Sequence, residues 1–159
     1  MKIEAIYISP GHDFKGRHGM ERLNHGVESV KSVNCVAGKG LEGDRFFDFK
    51  EDFKGQATFF AVEVADAVRE IVPDPYFENS DFRRNILVRG LDLNALIGKR
   101  FKIGSVEFEG TQEAAPCAWM ETAVGPGTRA FLEGQGGLRV RILSSGPLEV
   151  GELDLLILD

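Results

Sequence analysis

The sequence predicts a mainly β fold: a barrel-rich α+β architecture with a few peripheral helices. Three observations carry that expectation. Short alternating apolar runs recur at 2–9 (KIEAIYIS), 27–36 (VESVKSVNCV), 85–89 (NILVR), 99–109 (KRFKIGSVEFE), 138–143 (LRVRIL) and 153–158 (LDLLIL). Glycine-bearing turns punctuate them, which favours a barrel over layered α/β. Only residues 61–72 carry a strong helical period.

Each element has its own warrant. Residues 2–9 alternate well enough for a first strand. Residues 10–26 (PGHDFKGRHGMERLNHG) form a polar, glycine-rich loop, long for a compact domain and therefore read as functional. The second strand, 27–36, stops at Ala37-Gly38-Lys39-Gly40. The helix places residues 61, 64, 65, 68, 71 and 72 on one stripe, and Pro73 limits it near Val72. Asp92 is a candidate cap for a short helical turn that Gly98 ends. In the 99–109 hairpin, a Gly104-Ser105 turn of type II′ pairs Ile103 with Val106 and Phe101 with Phe108 on an apolar face. The other face then pairs Lys102 with Glu107 and Arg100 with Glu109, opposite charges across the ladder. A turn at Ser145-Gly146-Pro147 is expected between the last two strands.

Length and composition narrow the function. The 159 residues are read as one domain, 1–159. A formal net charge of −6 argues against nucleic acid or an anionic membrane surface as partner. No apolar run approaches a membrane span, and Glu4 interrupts the first apolar stretch, which argues against a secretory signal. Two cysteines, Cys35 and Cys117, make neither a disulfide framework nor a zinc pattern, so the expected setting is a reducing cytoplasm. His12, His18 and His25 match no ligand spacing.

Cys117 is the residue most suited to chemistry. It sits between Pro116 and a WMETAV segment that reads as a helical turn, and a helix N-terminus favours a thiolate. The alternative is a small buried hydrophobe, the reading given to Cys35. Asp44 and Arg45 lie in a glycine-flanked turn, either as a structural ion pair or close to a ligand. Arg83, Arg84 and Asn85 open the strand at DFRRNILV. If the strand begins by Arg83, residues 83 and 85 share a face and Arg84 points away, contributing little.

Taken in order, GKGLEGDRFF, RRNILVRGLDLNALIGKRFKIGSVEFEG, APCAWM and GGLRVRILSSGPLEVGE resemble the MOSC family, the domain found at the C-terminus of molybdenum cofactor sulfurases. The resemblance implies a β-barrel-rich fold with one functional cysteine, mapping onto Cys117. There the cysteine ligates molybdenum of a bound molybdenum cofactor (molybdopterin), or holds a persulfide as a sulfur carrier. Arg83 and Asn85 map onto an Arg-x-Asn motif facing the cofactor's pterin and phosphate end. Asp44 and Arg45 map onto a Gly-Asp-Arg turn near the same pocket. The family's histidine after Gly-Asp-Arg is Phe46 here. The implied activity is that of a molybdenum cofactor-dependent oxidoreductase or a sulfur transferase, acting on a small molecule such as an N-hydroxylated compound. Its partners would be a separate reductase as electron donor or a cysteine desulfurase. A non-catalytic carrier and a metal-free thiol redox protein are the rival readings.

Overall fold

The computed structural model describes residues 1–10 and 26–158. Most of the polar loop, and all three of its histidines, therefore lie outside the described residues. The first strand is β1 (Lys2–Ile8). The run expected as a second strand divides into β2 (Glu28–Val30) and β3 (Ser32–Val36), followed by the short β4 (Gly40–Leu41). Then come β5 (Ala57–Ala61), helix α1 (Val62–Ile71) and β6 (Ile86–Arg89). The hairpin is β7 (Arg100–Ile103) and β8 (Val106–Glu113). Two short helices, α2 (Trp119–Ala123) and α3 (Thr128–Leu132), precede β9 (Leu138–Ile142). The chain continues through β10 (Gly146–Glu149), β11 (Gly151–Glu152) and β12 (Leu155–Ile157).

The fold is mainly β, as expected, but it is a large mixed sheet rather than a closed barrel. Nine strands join in the order β11-β1-β6-β5-β9-β8-β7-β12, with β2 added to β1. The two end strands follow one another in sequence, joined through Leu153 and Asp154, with no ladder between them. Covalent chain, not hydrogen bonding, spans the gap. A second sheet, β10-β3-β4, packs beside the first.

The hairpin has the expected register at all four pairs, from Arg100 opposite Glu109 to Ile103 opposite Val106. Gly104 carries the positive φ (+59°) that the first position of a type II′ turn requires. Beyond it, Gly110 passes so close to the Leu96 carbonyl that no side chain fits there. Helix α1 ends as Pro73 dictates, at the extended Val72. Its buried positions are Val62, Ala65 and Val68, while Ile71 is exposed.

Three expectations are corrected. The Ser145-Gly146-Pro147 segment is not a simple turn, because Gly146–Glu149 forms β10 and pairs with β3. Pro147 is tolerated because β10 lies at the edge of its sheet. Asp92 does not cap the helical turn at Asn94–Leu96; the cap position is Leu93, without a side-chain cap bond. The strand expected to open at Arg83 opens at Ile86. Arg83 itself ends a 3-10 turn, Asn79–Phe82, in the left-handed region (φ +57°).

Two apolar clusters hold the fold together. One contains Phe59, Phe101 and Phe108 with Ile3, Ile86, Val140 and the fully buried Cys35. The other packs Phe60, Phe82 and Leu87 beneath α1, α2 and α3. Strand β5 feeds both, Phe59 on one face and Phe60 on the other. It connects through α1 to the parallel β6, a β-α-β unit.

The Phe108 ring stacks on Phe101 (5.5 Å between centroids) and meets Phe59 edge-on at 5.4 Å. Phe108→Ala is expected to cost about 3–5 kcal/mol, measured by urea unfolding. A loss below about 0.5 kcal/mol, the size of a surface effect, would contradict this packing.

Candidate functional site

Asp44, Arg45 and Arg83 converge although long stretches of chain separate them. Asp44 is buried and accepts the Ser9 N–H through Oδ1 at 3.0 Å. Its carboxylate also meets Arg45 Nη1 at 3.3 Å and the Phe46 N–H at 3.3 Å. Arg45 Nη2 donates to the Arg83 carbonyl at 3.2 Å. Arg83 Nη2 donates to Ser9 Oγ at 3.0 Å. The left-handed conformation of Arg83 turns its carbonyl to Arg45 while its side chain reaches Ser9. Ser9, at the end of β1, is the hub that the sequence did not single out; its only signal was its place at the mouth of the long polar loop.

Asn85 lies nearby, only 2% exposed, with both side-chain polar atoms bonded within the fold. Its Oδ1 accepts the Thr58 N–H at 3.0 Å and the Thr58 hydroxyl at 3.1 Å. Its Nδ2 donates to the Tyr7 carbonyl at 3.0 Å. Asn85 therefore positions the residues before it in the chain.

Phe46, which stands where a histidine was expected, lies under the Arg45 guanidinium at 4.8 Å. It packs with Phe49 and Phe53 in an aromatic group. The position has become a cation–π platform that cannot donate or accept a proton.

Cys117 lies on the connection between β8 and α2, and it is exposed. It lies two residues before α2, with the cap residue Ala118 between, and its carbonyl accepts the Met120 N–H at 3.0 Å. It shares no hydrogen bond with Asp44, Arg45, Arg83 or Asn85. The link is Arg84. Arg84 Nε donates to the Gly136 carbonyl at 2.9 Å, and Nη2 donates to the carbonyls of Ala114 at 3.0 Å and Ala115 at 3.4 Å. One guanidinium thus ties the approach to Cys117 to the approach to β9. Gly136 sits directly on the Ala114 carbonyl, with Pro116 beside it, so only glycine allows these segments to meet.

Arg84 points away from Arg83, as expected, but it is not idle within the fold. Alternation from a strand does not apply, because the strand starts two residues later. Burial pushes the Arg84 guanidinium down to about 10; the Cys117 sulfur opposes that shift, and nearby Arg45 and Arg139 add to it. Arg139, half-buried on β9, is lowered by burial too. Arg45, Arg84 and Arg139 thus make a cationic region beside the thiol-bearing segment, with Arg83 joined to it through Arg45.

Fold and site together define a mainly β protein with an accessible thiol bordered by arginines. The family model for the MOSC domain matches residues 47–152, most of the chain, and the chain belongs to the MOSC domain family. The match includes Arg83, Arg84, Asn85 and Cys117; Asp44 and Arg45 precede it. Solved structures agree on the fold. The YuaD protein of Bacillus subtilis superposes with a TM-score of 0.76 at 16% identity, covering 98% of this chain and 94% of its own. YiiM from Geobacillus stearothermophilus gives 0.70 at 19% identity, covering 99% of this chain and 75% of its own. YiiM from Escherichia coli gives 0.65 at 16% identity, covering all of this chain and 70% of its own. No curated protein sequence matches the chain. Among the described residues, no helix is long and apolar enough to cross a membrane, and no cluster of His, Cys, Asp and Glu is arranged to hold a metal ion.

The two thiols are expected to behave differently. Alkylation followed by mass spectrometry should modify Cys117 long before Cys35, which is 1% exposed. Burial pushes the Cys35 thiol up from 9.0 to about 12. A raised thiol pKa stabilises the fold below the unfolded-state value, and that contribution is lost as pH rises from about 9 towards 12. Stability measured across that window should fall, less steeply in Cys35→Ala. Equal labelling of both cysteines in the folded protein would contradict the placement.

Arg84→Ala should destabilise the protein by roughly 1–3 kcal/mol, because it strips partners from carbonyls held away from water. Unchanged thermal and urea stability would show that the strap is unimportant.

Proposed function

We propose that this protein binds molybdenum cofactor, with Cys117 as the protein ligand to molybdenum and the arginine region as clamp for the cofactor's anionic end. What carries the reading is the accessible Cys117 sulfur on a segment strapped down by Arg84, in a member of the MOSC domain family. The donor set fits the group. A thiolate is a soft ligand, and guanidinium forks suit the oxygens of a phosphate. Asp44, with both carboxylate oxygens engaged, steers Arg45.

When bound, the cofactor would supply a redox-active metal suited to reducing N-hydroxylated compounds, with electrons from a separate reductase. The chain's own residues do the rest. Arg84 and Gly136 fix the segment that presents the Cys117 sulfur. Arg83 is held by Ser9, and Arg45 by Asp44 and the Arg83 carbonyl, so the cations are oriented before any ligand arrives. Asn85 anchors the backbone that carries Arg83 and Arg84. Phe46 offers a flat apolar surface next to Arg45, not a proton-transfer group.

Metal analysis and native mass spectrometry of protein from a molybdate-replete host test the proposal. Molybdenum and a bound pterin are expected in the parent and absent from Cys117→Ser. Arg83→Ala should weaken cofactor retention about ten- to hundredfold while leaving the fold intact, the loss of a hydrogen bond to a charged group. A metal-free parent carrying a bare thiol, or a persulfide about 32 Da heavier, would overturn cofactor binding, the latter in favour of sulfur carriage.

A further inference from the structure

Arg139 and Arg141 lie two residues apart on the same face of β9, in opposite circumstances. Arg141 is bracketed by carboxylates, Glu109 at 2.8 Å and Asp52 at 2.9 Å. Among the described residues, the Arg139 guanidinium has no carboxylate and no hydrogen-bond acceptor, although it is half-buried.

Its orientation is nevertheless set. The guanidinium lies over the Phe53 ring at 5.2 Å, and Lys50 approaches the same ring at 5.2 Å. Gly55 lies against it, so closely that a Cβ there would stand 2.5 Å from Nε. The surrounding charge is mainly cationic, with Glu113 also within reach of Arg84. Arg84 is within electrostatic reach of Arg139, with Arg45 beyond it. Two acids of this region are committed elsewhere, Asp52 to Arg141 and Asp44 to Arg45, and Glu113 forms no ion pair with Arg139. In a chain of net charge −6, a half-buried arginine without an ion pair among the described residues is a local departure. A partly desolvated guanidinium without an acceptor is unfavourable, and its fork matches an oxyanion.

We propose that Arg139, seated on Phe53 and Gly55, is an oxyanion-binding subsite that takes the phosphate or carboxylate group of a small-molecule ligand. The subsite connects to the Cys117 segment through Arg84, which senses both. Only the assignment of that ligand as the substrate of the Cys117 centre rests on the function proposed above; the anion binding does not.

Calorimetric titration of the full chain with inorganic phosphate and, separately, acetate at fixed ionic strength tests this. The parent should bind at least one probe saturably, and the tighter probe assigns the ligand group. Arg139→Gln should bind it about ten- to hundredfold more weakly. Arg139→Lys should fall between, keeping the charge and losing the fork. Among the described residues the Arg139 side chain makes no hydrogen bond, so Arg139→Gln is expected to fold, with circular dichroism as the check. Arg89→Gln, which removes an arginine paired with Glu4 and Asp66 outside the site, should keep the parental affinity. A parent that binds neither probe, or Arg139→Gln with parental affinity, would overturn the inference. So would loss in Arg83→Ala with retention in Arg139→Gln, which would place the anion at Ser9 and Arg83. Protein that never acquires molybdenum but loses the probe through Arg139→Gln would sink the cofactor reading and uphold this one.

Discussion

The lock between Asn85 and Thr58 sets the geometry of everything around it. The Asn85 N–H reaches both the carbonyl and the hydroxyl of Thr58, each at 3.1 Å, while Oδ1 takes the Thr58 N–H and hydroxyl. On its other side, Asn85 exchanges bonds with the Tyr7 backbone, at 2.7 Å through its carbonyl and 3.0 Å through Nδ2. One amide thereby registers β1, β5 and β6 at the point where β6 begins. Buried polar groups satisfied this completely specify one arrangement, since any slip leaves several of them unpaired. Arg83 and Arg84 are the two residues before that anchor, and their directions are inherited from it.

What was legible in the sequence was local. The hairpin register followed from turn chemistry and cross-strand pairing within eleven residues, 99–109, and the helix from one apolar stripe. Strand β5 was not legible because it is buried on both faces: Ala57, Thr58, Phe59 and Phe60 show no alternation, and the run merges into α1. β10 was hidden by Gly146 and Pro147, which signal a turn unless an edge partner is already known. Cys35 read correctly as core, because Val33 and Cys35 alternate with polar neighbours along β3.

The site was half legible for a related reason. Asp44, Arg45, Arg83 and Cys117 carry recognisable chemistry, and three of them do meet. The strapping role of Arg84 was missed because face alternation was extended into residues that are not strand. Arg83 is left-handed, and the two neighbouring arginines diverge, one to Ser9 and one to the carbonyls of Ala114, Ala115 and Gly136. Nothing in DFRRNILV announces this; it depends on Gly136, fifty residues away, leaving room for a backbone to approach.

The position of β11 has a consequence for the order of assembly. Lys2 and Ile3 pair with Glu152 and Gly151, so the first strand finds one of its neighbours at the opposite extreme of the described chain. β7 likewise waits for β12. During synthesis the early strands emerge long before these partners, and a ribosome-bound intermediate carries unpaired edges on both sides of a nearly complete sheet. Contacts of such sequence separation make folding slow relative to chains of local topology. The domain thus commits to its final form late, when the last dozen described residues lace the two margins together.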